Sequence, residues 1–295
     1  MKKLIFLLPL VCLLGCYAGS VKPLLNHPDF IAENQPIRTL RVFLITDQSY
    51  RREEVEEFIS RCSSLVERQV GIRLEIRDWY QIKWEDELND ISKMETRVAA
   101  DTWNKREMFD IVLTFARFVQ KVEGGKLPLG ATDTFFWRYL FLKELDPYIL
   151  LHELFHAFLF EKGHSESWVM RSARPAYGNE WYWLAPEDRK KVLLNKWRDF
   201  NRMPEENKAK ESWFYYNLGL AFLQKKEVDQ AILLFNKSLE INPTYAVAYI
   251  SLGRAYYLKA EFEKSWEDIH RAQALGATIS EEFLDQLRRD SPGER

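Results

Sequence analysis

The sequence lacks the charge pattern of a nucleic-acid-binding protein. Lys and Arg number 42 against 44 Asp and Glu, which gives a net charge of −2 at pH 7. We find no basic stripe with interleaved aromatic residues, so neither DNA nor RNA is a predicted partner. The 295 residues are 46% hydrophobic and 29% charged, which allows a large core divided over one or two domains.

Long apolar runs and cysteines are scarce as well. An apolar run from Leu4 to Leu14 follows two lysines, and it is shorter than the about 20 residues that a membrane-spanning helix needs. This pattern predicts a secretory signal peptide over residues 1–15. Of the three cysteines, Cys62 alone lies beyond the N-terminal segment, so no internal disulfide is expected.

Histidine is also rare, yet three of the five histidines fall within thirteen residues. The pattern H-E-x-x-H, from His152 to His156, places two imidazoles one helical turn apart on the same face, with Glu153 beside them. Imidazole is a preferred ligand of Zn²⁺, and a catalytic zinc site takes three protein ligands and leaves one position open for water. The pattern therefore predicts Zn²⁺ as the cofactor.

The helix that carries this motif has its own start and stop signals. Asp146-Pro147 supplies an N-cap and a first helical residue, and Gly163 supplies a left-handed stop. We therefore expect a helix over residues 147–162, with both histidines in its middle.

Three residues compete for the place of the third zinc ligand. His164 follows the helix in a Gly-His-Ser context with a methionine further on, which favours it over the others. Glu180 in GNEWYW lies further downstream, and Glu166 is also near. The sequence leaves all three open.

The stretch HELFHAFLFEKGHSESWVM resembles the metzincin clan of zinc endopeptidases, nearest to the matrixin and archaemetzincin pattern H-E-x-x-H-x-x-G-x-x-H followed by a Met-turn. The resemblance implies His152, His156 and His164 as zinc ligands, Glu153 as general base and Met170 as the Met-turn methionine. This chain departs from the pattern in two ways: Leu159 replaces the glycine that ends the helix, and the third histidine comes two residues late. The spacing from His156 to Met170 equals that of matrixins, which suggests a longer helix and a shorter loop. Glu180 as ligand would instead resemble the gluzincin arrangement.

The end of the N-terminal apolar run, Leu13-Leu14-Gly15-Cys16, resembles the bacterial lipobox, in which cleavage before the cysteine leaves it N-terminal and lipidated. The resemblance implies Cys16 as the lipidation site and a lipid-anchored protein of the bacterial cell envelope. Tyr17 in place of Asp resembles outer-membrane sorting if the source is Gram-negative. Residues 16–36, with three prolines, predict a tether.

Hydrophobic periodicity predicts a β-α-β-α-β order ahead of the histidine motif. The expected strands and helices are Arg38–Thr46, Glu53–Val70, Arg73–Tyr80, Glu85–Lys105 and Phe109–Phe115. The resemblance implies an α/β (α+β) zincin-like domain over residues 37–203, with a mixed sheet and an active-site helix. Metzincins carry an edge strand that receives the extended substrate at the position of Thr132–Phe141; an ordinary aromatic-rich hairpin fits that stretch equally well.

The C-terminal part changes character. Residues 212–245 and 246–279 form two copies of a 34-residue period, the length of a tetratricopeptide repeat. Family positions are filled in the first copy by Tyr215, Leu218, Gly219, Phe222, Ala231, Phe235 and Pro243, and in the second by Tyr249, Leu252, Gly253, Tyr256, Ser265, Ile269 and Ala272. The resemblance implies an all-α hairpin array over residues 204–295, closed by a capping helix Glu281–Arg289, that binds a protein partner.

Two functions are compatible with these features. The leading one is a membrane-anchored zinc metallopeptidase, an endopeptidase by resemblance, in which a zinc-activated water hydrolyses peptide bonds with Glu153 as general base. The alternative is a lipid-anchored adaptor whose repeats hold a partner and whose metal site is structural or inactive. Glu153 favours the enzyme, because a structural site needs ligands but no base.

Overall fold

The computed structural model describes residues 36–84, 90–117, 129–161, 168–170 and 182–291. The strands within these ranges are β1 (Arg38–Thr46), β2 (Ile72–Gln81), β3 (Ile111–Phe115), β4 (Gly130–Thr132) and β5 (Tyr139–Leu142). The α-helices are α1 (Arg52–Val70), α2 (Ile91–Thr102), α3 (Pro147–Leu159), α4 (Pro186–Asn195), α5 (Glu211–Gln224), α6 (Val228–Ile241), α7 (Ala246–Leu258), α8 (Phe262–Ala274) and α9 (Glu281–Asp290). The predicted signal peptide, Cys16 and almost all of the tether lie outside the described residues.

The strands form one mixed sheet in the order β2-β1-β3-β5-β4. β1 pairs in parallel with β2 and with β3, and β4 pairs antiparallel with β5. β3 occupies the centre of the sheet and all five of its residues are buried, as its continuous apolar sequence predicts. The β-α-β-α-β order and the mixed α/β fold class are thereby confirmed.

The chain forms two compact units. The first contains Met1–Glu85, Met108–Thr132 and Leu140–Phe200, and therefore most of the sheet together with α1, α3 and α4. The second contains Asp86–Glu107, Asp133–Tyr139 and Asn201–Arg295, and therefore α2 and the helical array α5–α9. The domain boundaries drawn from the sequence remain predictions.

Helix α3 begins where the sequence predicts. The carboxylate of Asp146 accepts a hydrogen bond of 2.8 Å from the Tyr148 backbone N–H, and Pro147 opens the helix. The predicted end was wrong, because α3 stops at Leu159 and Phe160 adopts the left-handed conformation that we expected of Gly163.

The early end of α3 is stabilised by side chains that satisfy its last carbonyls. The Ala157 carbonyl accepts from Arg198 Nη1 at 2.5 Å and the Phe158 carbonyl from Asn195 Nδ2 at 2.7 Å. A helix end buried without such partners is costly. These contacts, which the local sequence does not reveal, fix the stop three residues before the expected one.

Two further predictions need correction. The helix expected over Glu85–Lys105 starts at Ile91, because Asp90 caps it by accepting from the Ser92 backbone N–H at 2.9 Å; a 3-10 turn continues it from Trp103 to Met108. The segment Thr132–Phe141 is not one edge strand but the hairpin that the sequence offered as the alternative: β4 and β5 pair antiparallel, and a bend joins them. The strand at the end of the sheet order is β4.

In the second unit, neighbouring helices of the array pack against each other at glycine residues. A Cβ atom on Gly219 in α5 would lie 2.6 Å from Cε1 of Phe235 in α6, and one on Gly253 in α7 would lie 3.1 Å from Ile269 in α8. Only glycine allows helices to approach this closely without a shift of the neighbour. The expected capping helix is α9, which packs Phe283, Leu284 and Leu287 against Trp266 and Ile269.

No helix within the described ranges combines the length and the apolar composition that a membrane span requires.

Candidate metal centre

Helix α3 places the H-E-x-x-H motif in the interior of the first unit. Every residue from Tyr148 to Leu159 is buried. His152, Glu153 and His156 retain exposed fractions of 8%, 7% and 6%. Polar side chains buried to this degree require hydrogen-bonding or ionic partners, and the structure supplies them.

Both imidazoles are oriented by backbone carbonyls. Nδ1 of His152 lies 2.7 Å from the Val169 carbonyl oxygen, and Nδ1 of His156 lies 2.6 Å from that of Glu161. A carbonyl oxygen only accepts, so each Nδ1 carries the hydrogen, and in the neutral ring Nε2 carries a lone pair. This arrangement is typical of metal-binding histidines, whose second nitrogen is fixed by an outer hydrogen bond.

The two Nε2 atoms converge on one point. They lie 3.1 Å apart, and two lone pairs at this distance repel each other unless a proton or a cation lies between them. Two nitrogens bound tetrahedrally to zinc at 2.0–2.1 Å are about 3.3 Å apart. The donor pair therefore fits a zinc ion with little adjustment.

The other predicted ligands cannot be placed. His164, Glu166 and Glu180 lie outside the described residues. Within the described ranges, no three His, Cys, Asp or Glu side chains are grouped as a metal site requires. His152 and His156 are the two predicted ligands that the structure brings together.

Glu153 lies against β4 of the same unit. Its carboxylate Oε2 is 2.7 Å from the Thr132 hydroxyl, which is also 3.0 Å from the Glu153 carbonyl oxygen and can donate its hydrogen to either. Burial raises the pKa of the Glu153 carboxyl to about 7, and the hydrogen bond from Thr132 opposes the rise. Gly130 leaves room for this side chain, since a Cβ there would lie 2.6 Å from Oε1.

Met170 is buried in a 3-10 turn, Trp168–Met170, that contacts α3. The same turn contributes the Val169 carbonyl that orients His152, and the Val169 backbone N–H donates to the Trp183 carbonyl at 2.9 Å. The segment around Met170 therefore orients His152 through its backbone. The role of Met170 beneath a metal stays a prediction.

Sequence reasoning missed Thr132, Gly130 and the carbonyls of Val169 and Glu161. Backbone acceptors leave no mark in a sequence, because any residue type supplies the same carbonyl. Gly130 did offer a signal, since a glycine in a strand often marks close approach of another group.

Comparison with known proteins gives one curated relative. An uncharacterized protein of Methanocaldococcus jannaschii, MJ0572, is 31% identical over 71 residues, which are 24% of this chain and 81% of that protein. Over those residues, the chain belongs to the family of MJ0572. The name of MJ0572 states no activity, so membership in its family assigns no activity to this chain.

The tetratricopeptide repeat family model matches residues 212–245, the same residues that we predicted for the first repeat. The second predicted repeat, 246–279, contains the helix pair α7 and α8.

Two solved structures are similar to this chain. One is an archaemetzincin from Methanopyrus kandleri, with a TM-score of 0.41, 16% identity, and coverage of 54% of this chain and 97% of that one. The other is metalloproteinase-II from Bacteroides fragilis, with a TM-score of 0.40, 14% identity, and coverage of 60% of each chain. At these scores the likeness carries no functional conclusion, which must come from the site itself.

Proposed function

We propose that this protein is a zinc-dependent peptidase whose centre lies on α3. The observation that carries the proposal is the pair of Nε2 atoms 3.1 Å apart, each on a ring whose Nδ1 donates to a backbone carbonyl. A bound zinc ion would supply Lewis-acid chemistry, acidifying water and polarising the scissile carbonyl.

The protein's own residues would do the rest. His152 and His156 hold the ion without rotating, because the Val169 and Glu161 carbonyls fix both rings. Glu153 accepts a proton from the attacking water and later gives it to the leaving amine. Because Thr132 engages Oε2, we assign the transferred proton to Oε1. Burial raises the pKa of this carboxyl to about 7 in the metal-free protein, and a bound cation would lower it and favour the carboxylate that acts as base.

The substrate we propose is an extended peptide. β4 ends the strand order of the sheet, and its residues Gly130 and Thr132 lie against Glu153. A strand at the end of a sheet can accept a further strand through its backbone groups. A peptide added there would run next to the catalytic carboxylate, which supports cleavage within a chain.

The remaining assignments rest on sequence alone. We propose His164 as the third ligand, with Glu180 as its alternative, and Met170 as the methionine beneath the metal. Lipidation of Cys16 would anchor the protein in a bacterial cell envelope. The tetratricopeptide match supports a protein partner for the helical array.

The test has two parts, metal content and cleavage. Mass spectrometry of the purified protein should find one zinc per chain, with zinc lost in His152→Ala and weakened in either His164→Ala or Glu180→Ala, whichever residue is the ligand. Wild type should cleave an unfolded protein, and Glu153→Gln should keep zinc without cleaving. If the wild-type protein still lacks zinc after zinc is added back, or if Glu153→Gln cleaves as well as wild type, the adaptor hypothesis replaces the peptidase hypothesis.

A further inference from the structure

The second unit contains a cavity of about 130 Å³ that is separate from the residues of the metal centre. A single water needs only about 10–15 Å³ on a comparable measure, so the cavity has room for a small organic group. Its lining includes three cationic side chains, Arg106, Arg138 and Lys237, and one carboxylate, Glu107. Glu107 lies 3.9 Å from Arg106, and its side chain is 73% exposed, so solvent screens its charge more than that of Arg138, which is 2% exposed.

The loop that carries Arg138 is held rigidly by one buried carboxylate. Asp133 is 3% exposed and accepts five backbone N–H bonds between 2.5 and 3.1 Å. The donors are the successive residues Phe135, Phe136, Trp137, Arg138 and Tyr139. The loop is therefore in place before any ligand arrives, which lowers the entropic cost of binding.

Arg138 is held inside the cavity wall and is only 2% exposed. Nη1 donates to Asn201 Oδ1 at 2.7 Å, and Nη2 donates to the Arg106 carbonyl at 3.1 Å. These two bonds fix the orientation of the guanidinium, which lines the cavity.

The other two cations lie over aromatic rings. The Arg106 guanidinium is 4.3 Å from the centre of the Trp103 ring, and Lys237 Nζ is 4.3 Å from the centre of the Tyr215 ring. Such stacking orients the cations, and Arg106 Nη1 also donates to the Trp103 carbonyl at 3.0 Å. Burial, and then the nearby charge of Arg106, lower the pKa of Lys237, and Glu211 and Glu240 oppose this. An anion between the cations would relieve their repulsion.

We propose that this cavity binds the carboxylate of a small organic acid or of a polypeptide C-terminus. Arg and Lys side chains supply the charge-assisted donors, and planar guanidinium groups match a planar carboxylate. The aromatic walls, Trp103, Phe136, Tyr139 and Tyr215, suit the carbon atoms attached to it. An inorganic anion would leave these walls without a partner. This site does not depend on peptidase activity.

The test uses calorimetric titration of the full protein with benzoate, benzamide, and N-acetyl-tetra-alanine with either a free or an amidated C-terminus. We expect each acid to bind about tenfold or more tightly than its amide, because a charge-assisted bond is lost in the amide. Added salt should weaken the binding of both acids, since solvent ions screen the charges of the cationic side chains. If benzoate binds more tightly than the peptide acid, the ligand is a free small acid. If the peptide acid binds more tightly, the ligand is a polypeptide C-terminus.

Matched variants locate the binding. Lys237→Met should lower the affinity for each acid about tenfold, whereas Lys237→Arg, which keeps the charge, should bind the acids nearly as tightly as wild type does. Lys264→Met is the control, because Lys264 also lies over a tyrosine, Tyr256, but does not line the cavity. If all three variants unfold at the same temperature as wild type, the array is folded in each of them. Equal affinity for acids and amides, or equal effects of Lys237→Met and Lys264→Met, would overturn the proposal.

Discussion

Glu153 depends on two neighbours of different kinds, the hydroxyl of Thr132 and the bare backbone of Gly130. The hydroxyl donates to the carboxylate, and the glycine leaves the space that the carboxylate fills. One neighbour acts on the charge of Glu153 and the other on its position. A single substitution at Thr132 tests the effect on the charge, and one at Gly130 tests the effect on the position.

Thr132→Val should raise the pKa of Glu153 in the metal-free protein. Thr132 donates to the carboxylate and so stabilises its charged form, holding the pKa down to about 7 against burial. Loss of a hydrogen bond to a charged group is worth about one pKa unit. The measurement is an infrared titration of the protonated carboxyl band, assigned by its absence in Glu153→Gln. Thr132→Ser, which keeps the hydroxyl, should titrate as wild type; a common value for all three Thr132 forms would refute the assignment.

Gly130→Ala should destabilise the protein by about 1–3 kcal/mol, the usual cost of overpacking. The added Cβ would lie 2.6 Å from Oε1 and 2.7 Å from Cγ of Glu153, so the side chain must leave Thr132. Urea denaturation measures the cost. In a Glu153→Ala background the clash has no partner, so Gly130→Ala should cost much less there. Equal costs in the two backgrounds would show that Glu153 is not what Gly130 accommodates.

At the scale of elements, the end of α3 determines how His156 is held. The left-handed turn at Phe160 lets the next carbonyl, that of Glu161, fold back onto Nδ1 of His156. A helix continued to Gly163 would direct that carbonyl along the helix axis instead.

Phe160→Gly should therefore be more stable than Phe160→Ala by about 1 kcal/mol, because a Cβ is unfavourable in the left-handed conformation. Both variants lose the same aromatic contact with Arg198, so the comparison isolates the backbone. At Leu159, the last residue of the helix, the order of stability should be reversed: Leu159→Ala should be more stable than Leu159→Gly. Thermal and urea unfolding measure both pairs. A preference for alanine at Phe160 would indicate that the helix runs on.

Helix α8 carries a buried acid that should make the array more stable in acid than at neutral pH. Burial raises the pKa of Asp268 from 3.8 to about 6. Ionisation therefore opposes folding: the contribution of Asp268 is full below pH 3.8 and is lost as the pH rises through about 6. Asp268→Asn should stabilise the protein by about 1–3 kcal/mol at pH 8 and by little at pH 4. Glu263→Gln, exposed on α8 and not among the charges that act on Asp268, is the control; a gain from Asp268→Asn that does not vary with pH would contradict the argument.

Much of this fold could be predicted because periodicity and caps are local. The apolar run of β3, the Asp146 cap and the repeat spacing each need only neighbouring residues to act. The end of α3 depends instead on Asn195 and Arg198, and Gly130 approaches Glu153; these partners are distant in the sequence. The same division applies to the site: the imidazole spacing follows from the helix, whereas the groups that orient the rings come from other segments.

At the scale of the whole molecule, removal of zinc should lower the unfolding temperature. An ion bound only by the folded protein contributes about 2.7 kcal/mol when its concentration is a hundred times Kd. Differential scanning calorimetry with and without a chelator measures the shift, and zinc returned in excess should restore the original transition. His156→Ala, which lacks one of the converging Nε2 atoms, should unfold at the same temperature with or without chelator. An unchanged wild-type transition would argue against a bound ion.

The burial of α3 on every face has a consequence for how the centre opens. Its amides from Tyr148 to Leu159 meet water only when the surrounding elements come apart, so hydrogen exchange along this helix should be among the slowest in the first unit. Entry and exit of the ion that we propose at the histidine pair would require similar openings. Its residence time would then depend on the frequency of these openings as well as on the strength of the individual bonds.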